Sequence, residues 1–262
     1  GSTFKLITLL EYIRENPDTW QDFHYTCTGT YTNGDYVVNC HDGVAHGELD
    51  IYGILGMSCN GAFDTIAQTL NSTKWQKLAE DFGYNQSDRS QVDFPYKKSH
   101  FDIASDDSVW SRMQLAIGQG TTTVTPLLNL MIYAAIANDG VMMTPYLVDH
   151  YLDADGNVVE QTKPKALRSV CTKAEAELMD EFLTYVITNG TAAAGGSQYA
   201  RVSGKTGSAQ YDSTKNYHAW FCGYGTNDVS EIAVCVMIEK GGAGGIVAAP
   251  VAGQIFDYYF SR

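Results

Sequence analysis

A mixed α/β (α+β) fold built around an antiparallel sheet is what this 262-residue sequence predicts, and three observations predict it. Apolar residues recur at helical spacing through the first half of the chain, three runs rich in β-branched and aromatic residues follow one another in the last third, and a final apolar helical pattern closes the sequence. With 44% hydrophobic and 12% aromatic residues, the chain can bury the core of one large domain or of two intimate lobes.

Taken in order, the first pattern runs from Ser2 to about Arg14. Phe4, Leu6, Ile7, Leu9 and Leu10 give it an apolar face, and Asn16-Pro17 stops it. Ser2 and Lys5 lie three apart and share one face of its first turn, where a hydroxyl and an amine can touch. Trp20 to Gly47 is irregular or hairpin-like. Leu49, Ile51, Ile54, Leu55 and Met57 suggest a short helix leading into Ser58-Cys59-Asn60. Ala62 to Leu70 and Thr73 to Phe82 are two more helical patterns, the second ending at Gly83. Tyr84 to Trp110 has little periodicity and reads as a long surface loop. Pro126 to Ala137 is a buried helix stopped near Asn138-Asp139-Gly140. Tyr146 to Leu152, an Asp155-Gly156 turn and Val158-Val159 predict a small hairpin. Thr172 to Thr188 opens on a cap and an acidic first turn, and ends at Asn189-Gly190. Val202 to Gln210, Ala219 to Tyr224 and Ile232 to Glu239 predict the strands of an antiparallel meander. A glycine-rich link then leads to a helix from Ala249 to Phe260.

The charge balance, 17 basic against 30 acidic residues, gives a net charge of -13 and argues against nucleic acid or any other polyanion as partner. Solubility explains an acidic surface of this kind. No apolar run is long enough to span a bilayer and nothing at the start reads as a signal peptide, so any anchor or export signal would lie upstream of Gly1.

The six cysteines show no C-x-x-C spacing, which argues against a zinc ribbon or a thioredoxin-like motif. Cys27 and Cys40 bracket a turn-rich segment containing Asn33-Gly34, and Cys222 and Cys235 fall on two predicted adjacent strands. Each pair is either a disulfide or two buried free thiols. Cys27, Cys40, His41 and His46 are the one local group with metal-binding side chains, but their spacing matches no standard site, and no metal or organic cofactor is expected.

Three short motifs carry the chemistry. Ser2-x-x-Lys5 pairs a hydroxyl with an amine that can serve as its base once its pKa is lowered by burial or by a helix N-terminus. One such match arises by chance roughly once in a chain this long. Ser58-Cys59-Asn60 stands where a helical pattern breaks, so a hydroxyl and an amide can project from the turn. Lys205-Thr206-Gly207-Ser208 lies on a strand pattern, its lysine offering charge, its hydroxyls a carboxylate-binding site, and its glycine room for a substrate backbone. The order Ser-x-x-Lys, Ser-x-Asn, Lys-Thr-Gly is far more specific than any one of them.

In that order the chain resembles the penicillin-binding proteins, within the serine β-lactamase superfamily. The likeness also covers His46-Gly47-Glu48-Leu49, Asp81-Phe82-Gly83-Tyr84, Ile117-Gly118-Gln119-Gly120 with Val124-Thr125-Pro126, the run from Tyr133 to Asn138, Asn189-Gly190-Thr191-Ala192 and His218-Ala219-Trp220-Phe221. It is closest to the monofunctional class B D,D-transpeptidases, and the Cys27 and Cys40 segment looks most like the Gram-positive forms. The resemblance implies a transpeptidase domain over 1–262, with an all-helical lobe at about 44–145 and a sheet lobe mainly from 146–262. It also implies a proline, two further sheet strands, a pedestal domain and a membrane anchor before Gly1, and hence an extracytoplasmic location.

By the same resemblance, Ser2 would attack the penultimate D-alanyl carbonyl of a peptidoglycan stem peptide, or the ring of a β-lactam antibiotic, and Lys5 would take its proton. Ser58 would relay a proton to the leaving amine beside Lys205, and Asn60 would hold Lys5 and the substrate amide. Thr206, Gly207 and Ser208 would bind the substrate end, and the N–H groups of Ser2 and Ser208 would form the oxyanion hole. A cell-wall glycosyltransferase is an implied partner. The competing functions are a β-lactamase, a D,D-carboxypeptidase, and a β-lactam-sensing or catalytically impaired module. Rapid deacylation in class A β-lactamases needs a glutamate, and the stretch from Tyr84 to His100 has Asp88 and Asp93 but none.

Overall fold

The first helix is buried all round over its first two turns, which an amphipathic surface helix is not. In the computed structural model, which describes residues 1–86, 92, 94–212, 214 and 216–262, helix α1 (Lys5–Glu15) keeps Leu6, Leu9 and Leu10 from water, and Lys5, Thr8 and Glu11 as well. It packs against three later helices and so forms the shared wall of the molecule. A 3₁₀ turn at Ser2–Phe4 precedes it, a tighter start than the continuous helix the periodicity predicts. Asp88 and Asp93 lie outside the described residues.

Strand β1 (His24–Cys27) is followed by a hairpin of β2 (Thr30–Asn33) and β3 (Tyr36–Asn39), and then by β4 (Gly47–Asp50), which pairs antiparallel with β1. The short helix expected from Leu49 therefore begins later. Helix α2 (Ile51–Gly56) is capped by Asp50, whose carboxylate accepts from Gly53 N at 2.7 Å. Helices α3 (Asn60–Thr69) and α4 (Ser72–Asp81) follow the predicted pattern. Helix α5 (Val109–Ala116) ends the long segment that periodicity left open. Thr125 and Pro126 open α6 (Pro126–Ala137), the cap and N1 positions where those residues are favoured.

Two small pairs come next. Strands β5 (Val141–Met143), β6 (His150–Leu152), β7 (Val158–Gln161) and β8 (Ala166–Ser169) pair as β5 with β8 and β6 with β7, so the hairpin expected around Asp155-Gly156 is present on top of a second pairing. Helix α7 (Lys173–Asn189) starts at a full capping box between Thr172 and Glu175. The meander is β9 (Arg201–Gln210), β10 (Tyr217–Thr226) and β11 (Glu231–Ile238), in spatial order β11-β10-β9. Cys222 and Cys235 are direct register partners in it, with sulfurs 3.3 Å apart and both thiols free. Helix α8 (Gly244–Phe260) begins five residues earlier than the expected Ala249, within the glycine-rich link. Glycine is needed at 244 because a Cβ there would lie 2.3 Å from Gly207 O and 2.4 Å from Trp220 O.

Side chains alternate across the meander, so it has two packed faces. On one, Phe221 meets Phe256 of α8. On the other, Asp180 of α7 gathers three donors: Ser203 Oγ at 2.7 Å, the Tyr224 hydroxyl at 2.6 Å and Arg201 at 2.7 Å. This knot fixes the edge strand β9 against α7. Among the described residues no helix is long and apolar enough to cross a membrane. Because Asp180→Ala removes the carboxylate that accepts from the buried Tyr224 hydroxyl, while Ser203 keeps Thr184 as a partner, we expect it to lower unfolding free energy by about 1–3 kcal/mol in urea denaturation, with Asp180→Asn losing less.

Candidate active site

The turn carrying Ser2 is held from two sides. The Tyr133 hydroxyl of α6 donates to Thr3 O at 3.1 Å, Asn129 Nδ2 donates to Thr3 Oγ1 at 3.3 Å, and Gly1 N donates to Gly118 O. Gly118 has a φ of +68°, and a Cβ on it would come within 2.3 Å of Gly1 O, so only glycine lets this loop close over the turn. The 3₁₀ geometry also matters, since residues three apart eclipse one another, and the Lys5 N–H donates to Ser2 O across this turn.

On its other side the turn runs along β9. The Gly1 Cβ position would touch Ala209 and that of Gly207 would touch Thr3, which brackets Ser2 opposite Ser208. The Gln119 side-chain amide, oriented by its hydrogen bonds, accepts from Gln210 N at 2.9 Å and donates to Gln210 O at 3.2 Å, so the backbone groups of Gln210 point to the outer edge of the sheet. By the two-residue repeat of a strand, those of Ser208 point the same way, toward Ser2. Thr206 O fits this pattern, because it accepts from Lys205 Nζ at 3.0 Å on that edge.

The second motif sits on the C-terminal stop of α2. Ser58 N donates to Leu55 O at 3.1 Å and Cys59 N to Ile54 O at 2.9 Å, the paired bonds of a Schellman motif. Ser58 therefore occupies the left-handed position, with φ +53°, where glycine is usual. Its hydroxyl oxygen lies between two amines, 3.3 Å from Lys5 Nζ and 3.0 Å from Lys205 Nζ. Lys5 Nζ also donates to Ser58 O at 2.8 Å and to Asn60 Oδ1 at 2.7 Å, which accounts for the three protons of an ammonium group. Asn60 is itself oriented by its donation to Asn39 O at 2.8 Å.

Burial sets the charges here. Both lysines are shielded from water, and loss of hydration pushes Lys5 down to about 8. Lys205 lies well below the ordinary lysine range, first because it is buried and then because the charge of Lys5 is near. One turn beyond Asn60 on α3, Asp64 is fully buried with neither carboxylate oxygen hydrogen-bonded among the described residues, and burial pushes its carboxyl up to about 8. Its signal in the sequence is only its spacing of four from Asn60, which an apolar helix face hides.

Of the residues singled out from the sequence, Lys5, Ser58, Asn60 and Lys205 form one hydrogen-bonded cluster, with Ser2 on the turn that opens α1. The Thr206 and Ser208 hydroxyls bond away from it. Thr206 pairs with Thr191 Oγ1 at 2.8 Å, and Ser208 Oγ accepts from Gly244 N at 3.1 Å. Thr191 is therefore a residue that motif reading did not single out as part of the site. Ser58→Gly removes the bridging hydroxyl while suiting the left-handed backbone. We expect its stability within about 1 kcal/mol of the parent and its acylation by a penicillin to be at least about 100-fold slower.

This geometry belongs with a known family. A family model described as the penicillin binding protein transpeptidase domain matches residues 1–257. The chain is 29% identical, over 74% of its length and 40% of the relative's, to the peptidoglycan D,D-transpeptidase PbpA of Mycolicibacterium smegmatis. It superposes with a TM-score of 0.84 and 28% identity on the D,D-transpeptidase domain of a peptidoglycan glycosyltransferase from Eggerthella lenta, over 98% of this chain and 63% of that one. An imipenem acyl-enzyme complex of penicillin-binding protein A from M. tuberculosis shares the fold, with a TM-score of 0.85 and 23% identity over 100% of this chain and 60% of that one. The chain spans about two fifths of the length of the curated relatives it matches first. A match running from the first residue almost to the last settles the matter: the chain belongs to the family of penicillin-binding protein transpeptidase domains.

Proposed function

We propose that the chain is the catalytic part of a class B peptidoglycan D,D-transpeptidase that cross-links stem peptides through an ester on Ser2 and is acylated by β-lactams. The observation that carries this reading is the Ser58 hydroxyl held between the Lys5 and Lys205 amines. Neutral Lys5 takes the Ser2 proton as Ser2 Oγ bonds to the penultimate D-alanyl carbonyl. The oxyanion is met by the N–H groups of Ser2 and Ser208. As the peptide bond breaks, Ser58 gives its proton to the departing D-alanine nitrogen and regains one from the amines beside it. An acceptor amine then attacks the ester and the proton transfers run in reverse.

Burial serves this chemistry because it makes an amine a base near neutral pH. Asn60 positions Lys5, and the free edge of β9 offers the substrate backbone a strand to pair with. Thr206, Gly207 and Ser208 line that edge and are assigned to the substrate carboxylate end. The name of the M. smegmatis relative and the imipenem complex of the M. tuberculosis protein support the substrate and inhibitor classes. A membrane anchor upstream, an extracytoplasmic location and a glycosyltransferase partner belong to the same proposal. So does the division into a helical lobe, 44–145, and a sheet lobe, mainly 146–262, which is supported by the grouping of α2 to α6 in the first and of the meander, α7 and α8 in the second.

Incubation with a penicillin should add one drug mass to the protein, seen by intact-mass spectrometry, and Ser2→Ala should take up none. An adduct on that variant would move the nucleophile elsewhere. The acylation rate should climb with pH as Lys5 loses its proton, with a midpoint near 8 rather than at about 10.4 as for a free lysine. Stopped-flow measurement with a chromogenic cephalosporin reads this directly, and a midpoint at the free-lysine value would exclude Lys5 as the base.

A further inference from the structure

The edge of β9 that is open to a substrate is shorter than the strand itself. Just past the end of β9, Tyr211 N donates to Asn216 O at 3.1 Å, and the register between β9 and β10 is unbroken, so the odd-numbered residues bond inward to β10. The backbone groups of Thr206, Ser208 and Gln210 therefore point outward, by the alternation of an antiparallel ladder. At one end of this edge Thr206 O is taken by Lys205 Nζ at 3.0 Å. At the other, the Gln119 amide accepts from Gln210 N at 2.9 Å and donates to Gln210 O at 3.2 Å. Those are the two bonds that a strand residue paired with Gln210 would make. Ser208 lies between the two ends, opposite Ser2.

We propose that Gln119 is the stop that ends substrate pairing along β9, so that the donor peptide holds this edge through the acylated D-alanine and leaves it one residue earlier in its own chain. The inference rests on the transpeptidase reading of the site. Antiparallel pairing sets the order. A D-alanine paired with Ser208 accepts from Ser208 N at its scissile carbonyl and donates its own N–H to Ser208 O. Its C-terminal neighbour then lies toward Thr206, on the side assigned to the substrate carboxylate. The donor residue two positions before the D-alanine would fall opposite Gln210, where donor and acceptor are both taken. One glutamine amide can take both, because it carries an acceptor oxygen and two donor hydrogens.

The backbone of Gln119 is fixed on both sides. Its N–H donates to Gln114 O at 2.8 Å, and its carbonyl accepts from Thr122 N at 3.3 Å. Gly118 O, one residue earlier, accepts from Gly1 N. The loop that pins the Ser2 turn is thus the loop that closes the edge beside it, and removing the amide would extend the pairing edge from Ser208 to Gln210.

Two donors of different length test the stop. N-acetyl-D-alanyl thioglycolate reaches no further than Ser208, whereas N-acetylglycylglycyl-D-alanyl thioglycolate carries the peptide groups that would meet Gln210. Acylation is read as kcat/KM for release of thioglycolate, whose C–S bond breaks as the Ser2 ester forms. On the parent protein the two donors should agree within about 2-fold, since the added peptide groups find no free partner. On Gln119→Ala and Gln119→Ser, both too short to reach Gln210, the long donor should gain at least about 5-fold over the short one, as one or two new hydrogen bonds would give. The ratio is insensitive to a general loss of activity or stability, and the parent ratio still decides if a variant does not fold. A parent protein that already prefers the long donor to that extent overturns the stop, as does an unchanged ratio on a folded variant. A parent protein that neither donor acylates overturns instead the transpeptidase reading beneath it.

Discussion

One hydroxyl shared between two buried amines governs this site. Ser58 Oγ is within 3.3 Å of both Lys5 Nζ and Lys205 Nζ, so the two nitrogens stand at most about 6 Å apart. Two positive charges at that distance repel by about 2.5 kcal/mol or more at an effective dielectric of 20, equal to about two units of pKa, before any loss of hydration is counted. Keeping both charged is therefore the costly state. One amine is readily neutral, the other charged, and the hydroxyl between them can accept from one and donate to the other. A proton can cross the cluster without any group moving far.

The scaffold exists to keep that arrangement dry and still. Helix α1 presents Lys5 from within the core rather than from a surface. The left-handed backbone at Ser58 costs about 1–2 kcal/mol for a residue with a Cβ, and the end of α2 and the Lys5 contact to its carbonyl hold it there. The Ser2 turn is pinned by Thr3, Gly118 and the edge of β9. Asp180 secures β9 from α7, so a residue remote from Ser2 helps to fix the strand that the Ser2 turn runs along. Burial pushes the Asp64 carboxyl up to about 8, and its charge, when present, raises Lys5 against the larger loss of hydration that lowers it.

Much of this was legible in the sequence because its signals were local. The apolar pattern of α6, the cap and acidic first turn of α7 and the meander announced themselves within windows of a dozen residues, and the adjacency of Cys222 and Cys235 followed from strand spacing. The three motifs gave Lys5, Ser58, Asn60 and Lys205, which the fold brings into one hydrogen-bonded cluster. What stayed hidden was non-local. The pairing of β1 with β4 joins segments separated by a hairpin, so its strand residues read as loop and helix. Gly244 read as part of a link and is instead a close approach between α8 and the sheet. The Thr206 and Ser208 hydroxyls were expected to bind a substrate carboxylate, and strand alternation turns them to Thr191 and Gly244.

The convergence of Ser2, the lysine pair and the β9 edge is the claim on which the rest stands, and a crystal structure of the protein after reaction with a penicillin tests it most directly. The account predicts density continuous with Ser2 Oγ, the ester carbonyl oxygen within hydrogen-bond reach of the Ser2 and Ser208 N–H groups, and Ser58 Oγ still held between the two amines. An ester oxygen pointing to solvent, or a drug bonded to any other side chain, would contradict it.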